Sequence, residues 1–450
     1  MKKITIIATL FIVLFLSACT KAEPLPECAA NEVLQGEQCV RVYTEDEQRI
    51  LQEMEASFNF FWELANTNED SGGYGLINDR YPNNPNLSSI ASVGFGLAAI
   101  PIGVEYGWIT HEEGEERVIK TLETFENLDN YSGFFYHFLN KATGERAGTS
   151  EVSVIDTALF IAGAITAGEY FGGTAKTKAD GLYAEIDWTW YIDPSNDQFY
   201  MGYRPESGFA GHWDFYAEQL ILYVLGAGTP TEEYRIDKTV YDAFIRHNEN
   251  YGDGEVFIHS WFGSLFTYQF SHAFVDFRNT EDADGVNWFE NSIHATLANR
   301  NYAIDHNDEF STFGENSWGM TASDGPSGYS GKYGAAPSGY NNASHLNDGT
   351  IPPAGALGSI VFTPEETIAA MNYFYTIEGL IGDYGFKDAY NFDIGTEVWI
   401  AEDSLGIDKG VTVLMLSNYL DETTWTYFMQ SEYVQNGMER IEITPITAEE

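Results

Sequence analysis

Two pairs of carboxylates define the chemistry open to this sequence. Asp214 and Glu218 stand four residues apart in a stretch that runs into Gln219-Leu-Ile-Leu-Tyr-Val-Leu225. Four residues is about one helical turn, so a helix over 208–225 puts both acids on one face of an apolar element. Removing an unpaired carboxylate from water costs several kcal/mol, so such acids need partners or a wet cavity. His212 and Trp213 open the segment with the polar and aromatic surfaces that suit a sugar. Glu151 and Asp156 form a second pair around Ser153, which reads as a helix N-cap with Asp156 completing it. Cleaving a glycosidic bond needs one carboxylic acid to protonate the leaving oxygen. It also needs one carboxylate to activate water or attack the sugar. Acid pairs at the starts of two apolar segments meet that need, and they point to a carbohydrate pocket.

Each acid also has a plainer reading. In a first turn Asp214 would only favour its helix N-terminus, and Glu151 would be a dipole-favoured surface acid. Glu218 lacks that role, because its turn is apolar, and its plain alternative is a buried Arg partner. Weaker candidates follow along the chain. His272 and Arg278, with Asp276 between them, suit sugar hydroxyls or a structural salt bridge. Trp318 stands in a Gly-containing loop where it can stack on a sugar face, with Asp324 as a hydroxyl ligand or a turn former. Arg80 joins the binding set, or Asp79-Arg80 and Glu105 simply pair. His137 and His259 read as satisfied core or interface histidines.

The elements that must position these residues alternate between two kinds. Amphipathic, charged segments lie at 45–65, 112–127, 176–191, 232–247, 284–303 and 364–376. Between them lie apolar, Gly/Ala-rich segments at 89–104, 153–170, 213–225, 259–274, 351–362 and 406–419. The first set suits helices with one wet face and the second suits helices buried all round. Six such alternations predict an all-α fold, an (α/α)6 barrel of six inner and six outer helices. Long loops rich in Gly, Asn, Tyr and Trp precede the inner segments at 72–87, 128–151, 193–212 and 310–350. Loops of this length in a compact domain are usually functional, and here they are expected to build a cleft at one rim.

Composition narrows the partners. Acidic residues outnumber basic ones 68 to 22, for a formal charge of −46. That field excludes nucleic acids and anionic membrane surfaces as partners and leaves a neutral ligand favoured. Residues 1–19 read as a lipoprotein signal, with Lys2-Lys3, an apolar run and the cleavage box Leu16-Ser-Ala-Cys19. Lipidation at Cys19 is therefore expected, giving an extracytoplasmic protein that meets a membrane only through its lipid anchor. No second hydrophobic span is expected. Residues 20–44 read as a linker in which Cys28 and Cys39 form a disulfide, as an exported compartment favours. The sequence carries no CxxC, HExxH or GxxxxGK[ST], so neither metal nor cofactor is expected.

The ordered motifs resemble a known family. The run 89–105, Gly133-Phe-Phe-Tyr-His-Phe138, Ser150-Glu-Val-Ser-Val-Ile-Asp-Thr-Ala-Leu159 and 208–225 are similar to bacterial glucoamylase-like proteins. Ser271-His272 with Asp276-Phe-Arg278, Trp318-Gly-Met-Thr-Ala-Ser-Asp-Gly-Pro326, Asp348-Gly-Thr-Ile351, Tyr384-Gly-Phe-Lys-Asp388 and Leu405-Gly-Ile-Asp-Lys-Gly410 continue the likeness, which runs from about Phe60 to Tyr427. The nearest branch is the β-1,2-glucanases of glycoside hydrolase family 144. The resemblance implies an (α/α)6 catalytic domain over 45–450 and an inverting endo-β-1,2-glucanase. Alternatives are an exo-acting hydrolase or transglycosylase on the same barrel, or a non-catalytic glycan-binding lipoprotein. It also implies that Glu151 and Glu218 lie in the acidic pocket with Asp156 and Asp214 beside them, in a monomer acting on β-glucan. Asn140 departs from the pattern, where relatives are expected to carry Asp.

Overall fold

Helices of two kinds alternate along the chain. In order they are α1 (Glu45–Glu63), α2 (Ile90–Glu105), α3 (His111–Phe125), α4 (Val154–Phe171), α5 (Gly173–Ala184) and α6 (Leu220–Gly228). There follow α7 (Lys238–Asp242), α8 (Phe270–Phe274), α9 (Trp288–Asp305), α10 (Pro353–Leu357), α11 (Pro364–Phe374), α12 (Gly406–Leu420), α13 (Thr423–Phe428) and α14 (Glu432–Arg440). The even-numbered helices up to α12 are the apolar set. Every residue of α6, α8 and α10 is buried, as are Ile90 to Gly103 of α2. The structure is a computed structural model and describes residues 32–35 and 38–446. Cys19 and Cys28 lie outside the described residues, and with them the expected lipidation and disulfide. The segment Glu32–Gln35 and Gln38–Arg41 is an antiparallel hairpin with Val33 opposite Val40, distinct from the body that begins at Asp46.

Small residues let the buried helices touch backbone to backbone. A Cβ added to Gly163 of α4 would overlap the Gly94 carbonyl of α2, and one on Gly410 of α12 would overlap the Phe95 ring. So α2 packs between α4 and α12, and Phe95 meets Phe270 and Phe274 of α8 in the core. Polar threads join the shorter members. Ser271 of α8 accepts from Ile221 N at 3.1 Å and donates to Glu218 O at 2.6 Å, and Gln269 donates to Gly355 O of α10 at 2.7 Å. No second hydrophobic span was expected, yet among the described residues α4 is long and apolar enough to cross a membrane; 83% of it is buried inside the body.

The loops are not structureless, so an all-α description is incomplete. Gln198–Arg204 pairs with both Gly208–His212 and Val152–Ser153, while Arg80–Tyr81 pairs with Ser404–Leu405. Ser323–Gly325 and Gly328–Ser330 form a further hairpin. Val152–Ser153 and Ser404–Leu405 run directly into α4 and α12.

Several expected helices are shorter than their periodicity implies, among them 351–362, of which only the five residues of α10 are helical. Residues 208–225 are helical only from Leu220, because Gly208 and Gly211 take φ of +81° and +68° and 208–212 is a strand. Asp214 O then accepts from Ile245 N at 2.7 Å, and the Gln219 side chain holds the turn by bonding Phe215 O and Ala217 N. Asp214 and Glu218 therefore do not share a helical face. The segment 232–247 keeps only a single 3-10 turn and α7, since Tyr241 and Phe244 turn inward onto Tyr223 and Trp288. The segment 259–274 starts extended and becomes α-helical only at α8.

One buried ion pair ties the outer layer to the inner one. Lys409 of α12 lies 2.9 Å from Glu53 of α1, and Glu53 also accepts from Phe386 N. Removing one partner leaves the other charged and buried, which costs about 3–5 kcal/mol. Glu53→Ala is therefore expected to lose that much in denaturant unfolding. A loss below about 1 kcal/mol would mean that water reaches Lys409.

Candidate active site

The acids gather where the buried helices begin. Asp156 is the third residue of α4, and Ser153 caps that helix, accepting from Asp156 N and donating to Asp156 Oδ2 at 2.5 Å. Asp408 is the third residue of α12, in the same place on another helix. Both exploit the positive end of the helix dipole, which favours carboxylates there. Glu218 stands two residues before α6, its backbone fixed by Ser271. Arg80 and Asp79 precede α2, and Arg80 is held by the strand pairing with Ser404–Leu405.

His137 organises one side. Its Nδ1 is 3.1 Å from Glu151 Oε1 and its Nε2 is 3.4 Å from Asp156 Oδ1. Burial alone would lower the imidazole pKa, but the charges of Asp156, Glu151 and Asp79 outweigh it and raise the value. The hydrogen bond to His137, with help from Arg204 at 2.9 Å, holds the Glu151 carboxyl down to about 2. Glu151 is thus a firmly ionised, doubly tethered group and a weak base. Burial raises Asp79 despite Arg80 and His137 beside it.

Arg80 organises the other side. It contacts Asp324 and Asp403 at 3.2 Å each and Asp79 at 3.3 Å. Asp324 N donates to Asp388 Oδ2 at 2.6 Å. Asp388 and Asp408 are both buried and influence each other's ionisation, and Asp388 Oδ1 and Asp408 Oδ2 have no hydrogen-bond partner of their own. Burial raises both. Asp388 rises furthest, while a hydrogen bond from Asp388 and the Lys409 charge ease Asp408 to about 6. One proton on Asp388, donated to an ionised Asp408, satisfies the pair. Tyr329 is an exposed side chain whose hydroxyl lies near enough to this group to feel its charges. Burial of that hydroxyl raises its pKa first, and the charges of Asp408, Asp388, Glu218 and Asp79 add to that.

Glu218 opens onto a cavity of about 580 Å³ walled by His212, Trp213, Asp214, Trp261 and Tyr340. Trp261 and Tyr340 are exposed and meet edge to face at 5.6 Å, a surface fit for a sugar ring. Burial, then the charge of Asp156, pushes the Glu218 carboxyl up to about 8, only partly offset by His137. It is a carboxylic acid at neutral pH with cavity in front of it. No Arg partners it, so the plain alternative for this residue does not hold among the described contacts.

Of the residues singled out from sequence, Arg80, Glu151, Asp156, Glu218 and Asp324 come together. His212, which is bonded to Asp193 at 2.9 Å, joins Trp213 and Asp214 in the cavity wall. Three others do not join them. His272 is buried in the apolar core, bonded to Ser292 at 3.0 Å, and burial depresses it to about 3. Arg278 is bidentate on Asp276 and bonded to Glu422, over the Trp425 ring, beyond the far ends of α8 and α12. Trp318 is fully buried away from the cavity. Sequence reasoning gave no role to Asp388, Asp403, Asp408 and Tyr329, read Asp79 only as a partner of Arg80, a pairing the structure contains at 3.3 Å, and set His137 aside as a core or interface residue. The shared Ile-Asp at the third helical position of α4 and α12 was the available signal for Asp408. Asn140 accepts from Ala142 N and Thr143 N, so it serves a turn.

Residues 211–432 match the family model described as "Putative glucoamylase". A protein of that same description from Bacteroides uniformis is 30% identical, with a TM-score of 0.80 over 90% of this chain and 98% of its own. The endo-β-1,2-glucanase of Chitinophaga pinensis, solved with sophorotriose and glucose, is 28% identical with a TM-score of 0.79 over 89% of this chain and 99% of its own. A curated relative from Parabacteroides distasonis, an exo β-1,2-glucooligosaccharide sophorohydrolase acting at the non-reducing end, is 27% identical over 435 residues, 88% of this chain. The chain spans 58% of that relative's length.

Proposed function

The chain belongs to the glucoamylase-like family, and on that premise we propose that it hydrolyses β-1,2-linked glucans. The observation that carries the reading is Glu218. A carboxyl with a pKa pushed to about 8, on the wall of a cavity of about 580 Å³, is a proton donor at neutral pH. The alternation of six outer and six buried helices, with α2 packed against both α4 and α12, supports closure into an (α/α)6 barrel. The acids then lie at one rim, at the N-terminal ends of the inner helices.

Glu218 gives its proton to the leaving glycosidic oxygen. Asp408, kept ionised by the proton on Asp388, takes one from a water that attacks the anomeric carbon from the opposite face. Inversion is part of this reading, and it requires the two carboxyls to stand ~6.5–9.5 Å apart with a water between. Glu151 serves through His137, and Arg80 with Asp324 binds sugar hydroxyls. The open, aromatic cavity supports endo action. The cleavage box ending at Cys19 supports export and lipid anchoring on the outer side of the membrane.

The test is product analysis on linear β-1,2-glucan, followed by chromatography and polarimetry, with laminarin, cellulose and starch beside it. A ladder of β-1,2-oligosaccharides released with inverted anomers is expected. Sophorose as the sole early product replaces endo with exo action. Turnover of starch or laminarin in place of β-1,2-glucan overturns the substrate.

A further inference from the structure

Away from the acid group, three side chains of metal-ligating type meet on one face of a hairpin. The hairpin pairs Asn248–Glu249 with Phe257–Ile258, and Asn248 faces Ile258. In that register His247 and His259 stand opposite each other, and His259 N donates to His247 O at 3.1 Å. Glu249 is two residues from His247, so the pleat turns it to the same side. His247 Nδ1, His259 Nε2 and a Glu249 carboxylate oxygen all lie within 4.8 Å of one another.

Two of the three ligand groups are also aimed from behind. His259 Nδ1 is 3.0 Å from Ser260 O, and donating there leaves the Nε2 lone pair facing His247 and Glu249. Asn342 Nδ2 donates to Glu249 Oε1 at 2.8 Å, which leaves Oε2 turned inward, 4.0 Å from His259 Nε2. Such outer contacts are the usual means of orienting metal ligands. The rings of Phe215 and Tyr340 pack on His259 and His247, with His259 the buried member of the three. A hydrogen bond between the two imidazoles, 2.7 Å apart, accounts for that one contact and leaves the converging carboxylate unexplained.

We propose that His247, Glu249 and His259 bind one divalent transition-metal ion of the zinc class, with a fourth position left to water. Two imidazoles and a carboxylate are a donor set for zinc and a poor one for calcium or magnesium, which take oxygen ligands. Zinc lies about 2.0–2.1 Å from imidazole nitrogen, so the two rings part by roughly half an ångström to admit it. The ion would fasten the hairpin to the loop of Asn342 and Tyr340. It would brace the wall formed by Phe215, Trp261 and Tyr340 without touching the reacting bond.

The experiment is calorimetric titration of the chelator-stripped full chain with zinc chloride, with calcium and magnesium chlorides as controls. One zinc per chain, no heat with the other two ions, and a zinc-dependent rise in Tm are expected. Glu249→Gln, at a half-buried position that tolerates the change, is expected to weaken zinc binding tenfold or more, and His247→Asn to remove both the heat and the Tm rise. Circular dichroism establishes that both variants fold. Absence of zinc uptake by the parent chain overturns the proposal, as does uptake that both variants retain at parental affinity.

Discussion

Glu218→Gln is expected to lower kcat by ~10²–10⁴-fold, the range that a positioned general acid supplies. Glutamine keeps the shape and sits in the same turn, between the Gln219-held loop and Ser271, so the fold is expected to remain. The pH dependence carries a second readout. The parent's kcat/KM is expected to fall on the alkaline side as Glu218 loses its proton near pH 8. The variant's residual activity lacks that limb. Stability moves the other way. The folded-state pKa of Glu218 lies above the ordinary carboxylate value of about 4.3, so its contribution is complete below that pH and is lost as pH rises through about 8. Each pKa unit of difference is worth about 1.4 kcal/mol at full burial. Glu218 faces a cavity, and solvent there reduces the figure. The amide introduced by Glu218→Gln does not titrate, so the variant is expected to match or exceed the parent's Tm at pH 9 and lose that advantage by pH 5. Near-parental turnover in the variant, with an unchanged alkaline limb, would remove Glu218 from the mechanism.

The route from sequence to this site was open in some places and closed in others. Glu218 stood out because an acid inside an apolar run needs a reason, and the reason proved to be a cavity. Its helix did not extend back to Asp214, because glycines at 208 and 211 permit a strand that a count of apolar positions cannot register. The long helices α1, α2, α3, α4, α9, α11 and α12 follow their periodicity closely, since burial on one side or all round writes a pattern. α8 and α10 are five residues each, too short to write one. That shortness also misplaced His272 and Arg278: α8 ends at Phe274, so one side chain turns into the core and the other runs to the far ends of the helices. Asp388 and Tyr329 sit in turns and hairpins, where partners are set by tertiary approach. No spacing rule brings Asp324, Asp388 and Asp408 together. His137 looked ordinary because its two carboxylates come from 14 and 19 residues further along the chain.

Asp408→Asn is expected to be the second severe loss, also ~10²–10⁴-fold in kcat, because it removes the base that takes a proton from water. The neighbouring change gives the discrimination. Asp388 is the carboxyl that burial raises furthest, so it holds the proton and donates to Asp408. The substitution Asp388→Asn keeps a donor for Asp408 and removes a negative neighbour, and so lets Asp408 ionise at lower pH. This variant is therefore expected to retain activity near pH 7 to within about tenfold, with the acid limb of its pH profile, near 6 in the parent, moved downward. Equal losses in both variants would mean that the pair acts as one unit. A severe loss confined to Asp388→Asn would exchange their roles. Near-parental turnover in Asp408→Asn would transfer the base to Asp156, the other acid at the third position of a buried helix. The geometry around Asp156 argues against that outcome. Its Oδ2 is taken by Ser153 at 2.5 Å and its Oδ1 by His137 at 3.4 Å, so it meets an incoming water with both oxygens already engaged. Asp408 offers an oxygen whose bond to Asp388 exchanges a single proton, and its basicity near pH 6 suits catalysis at neutral pH.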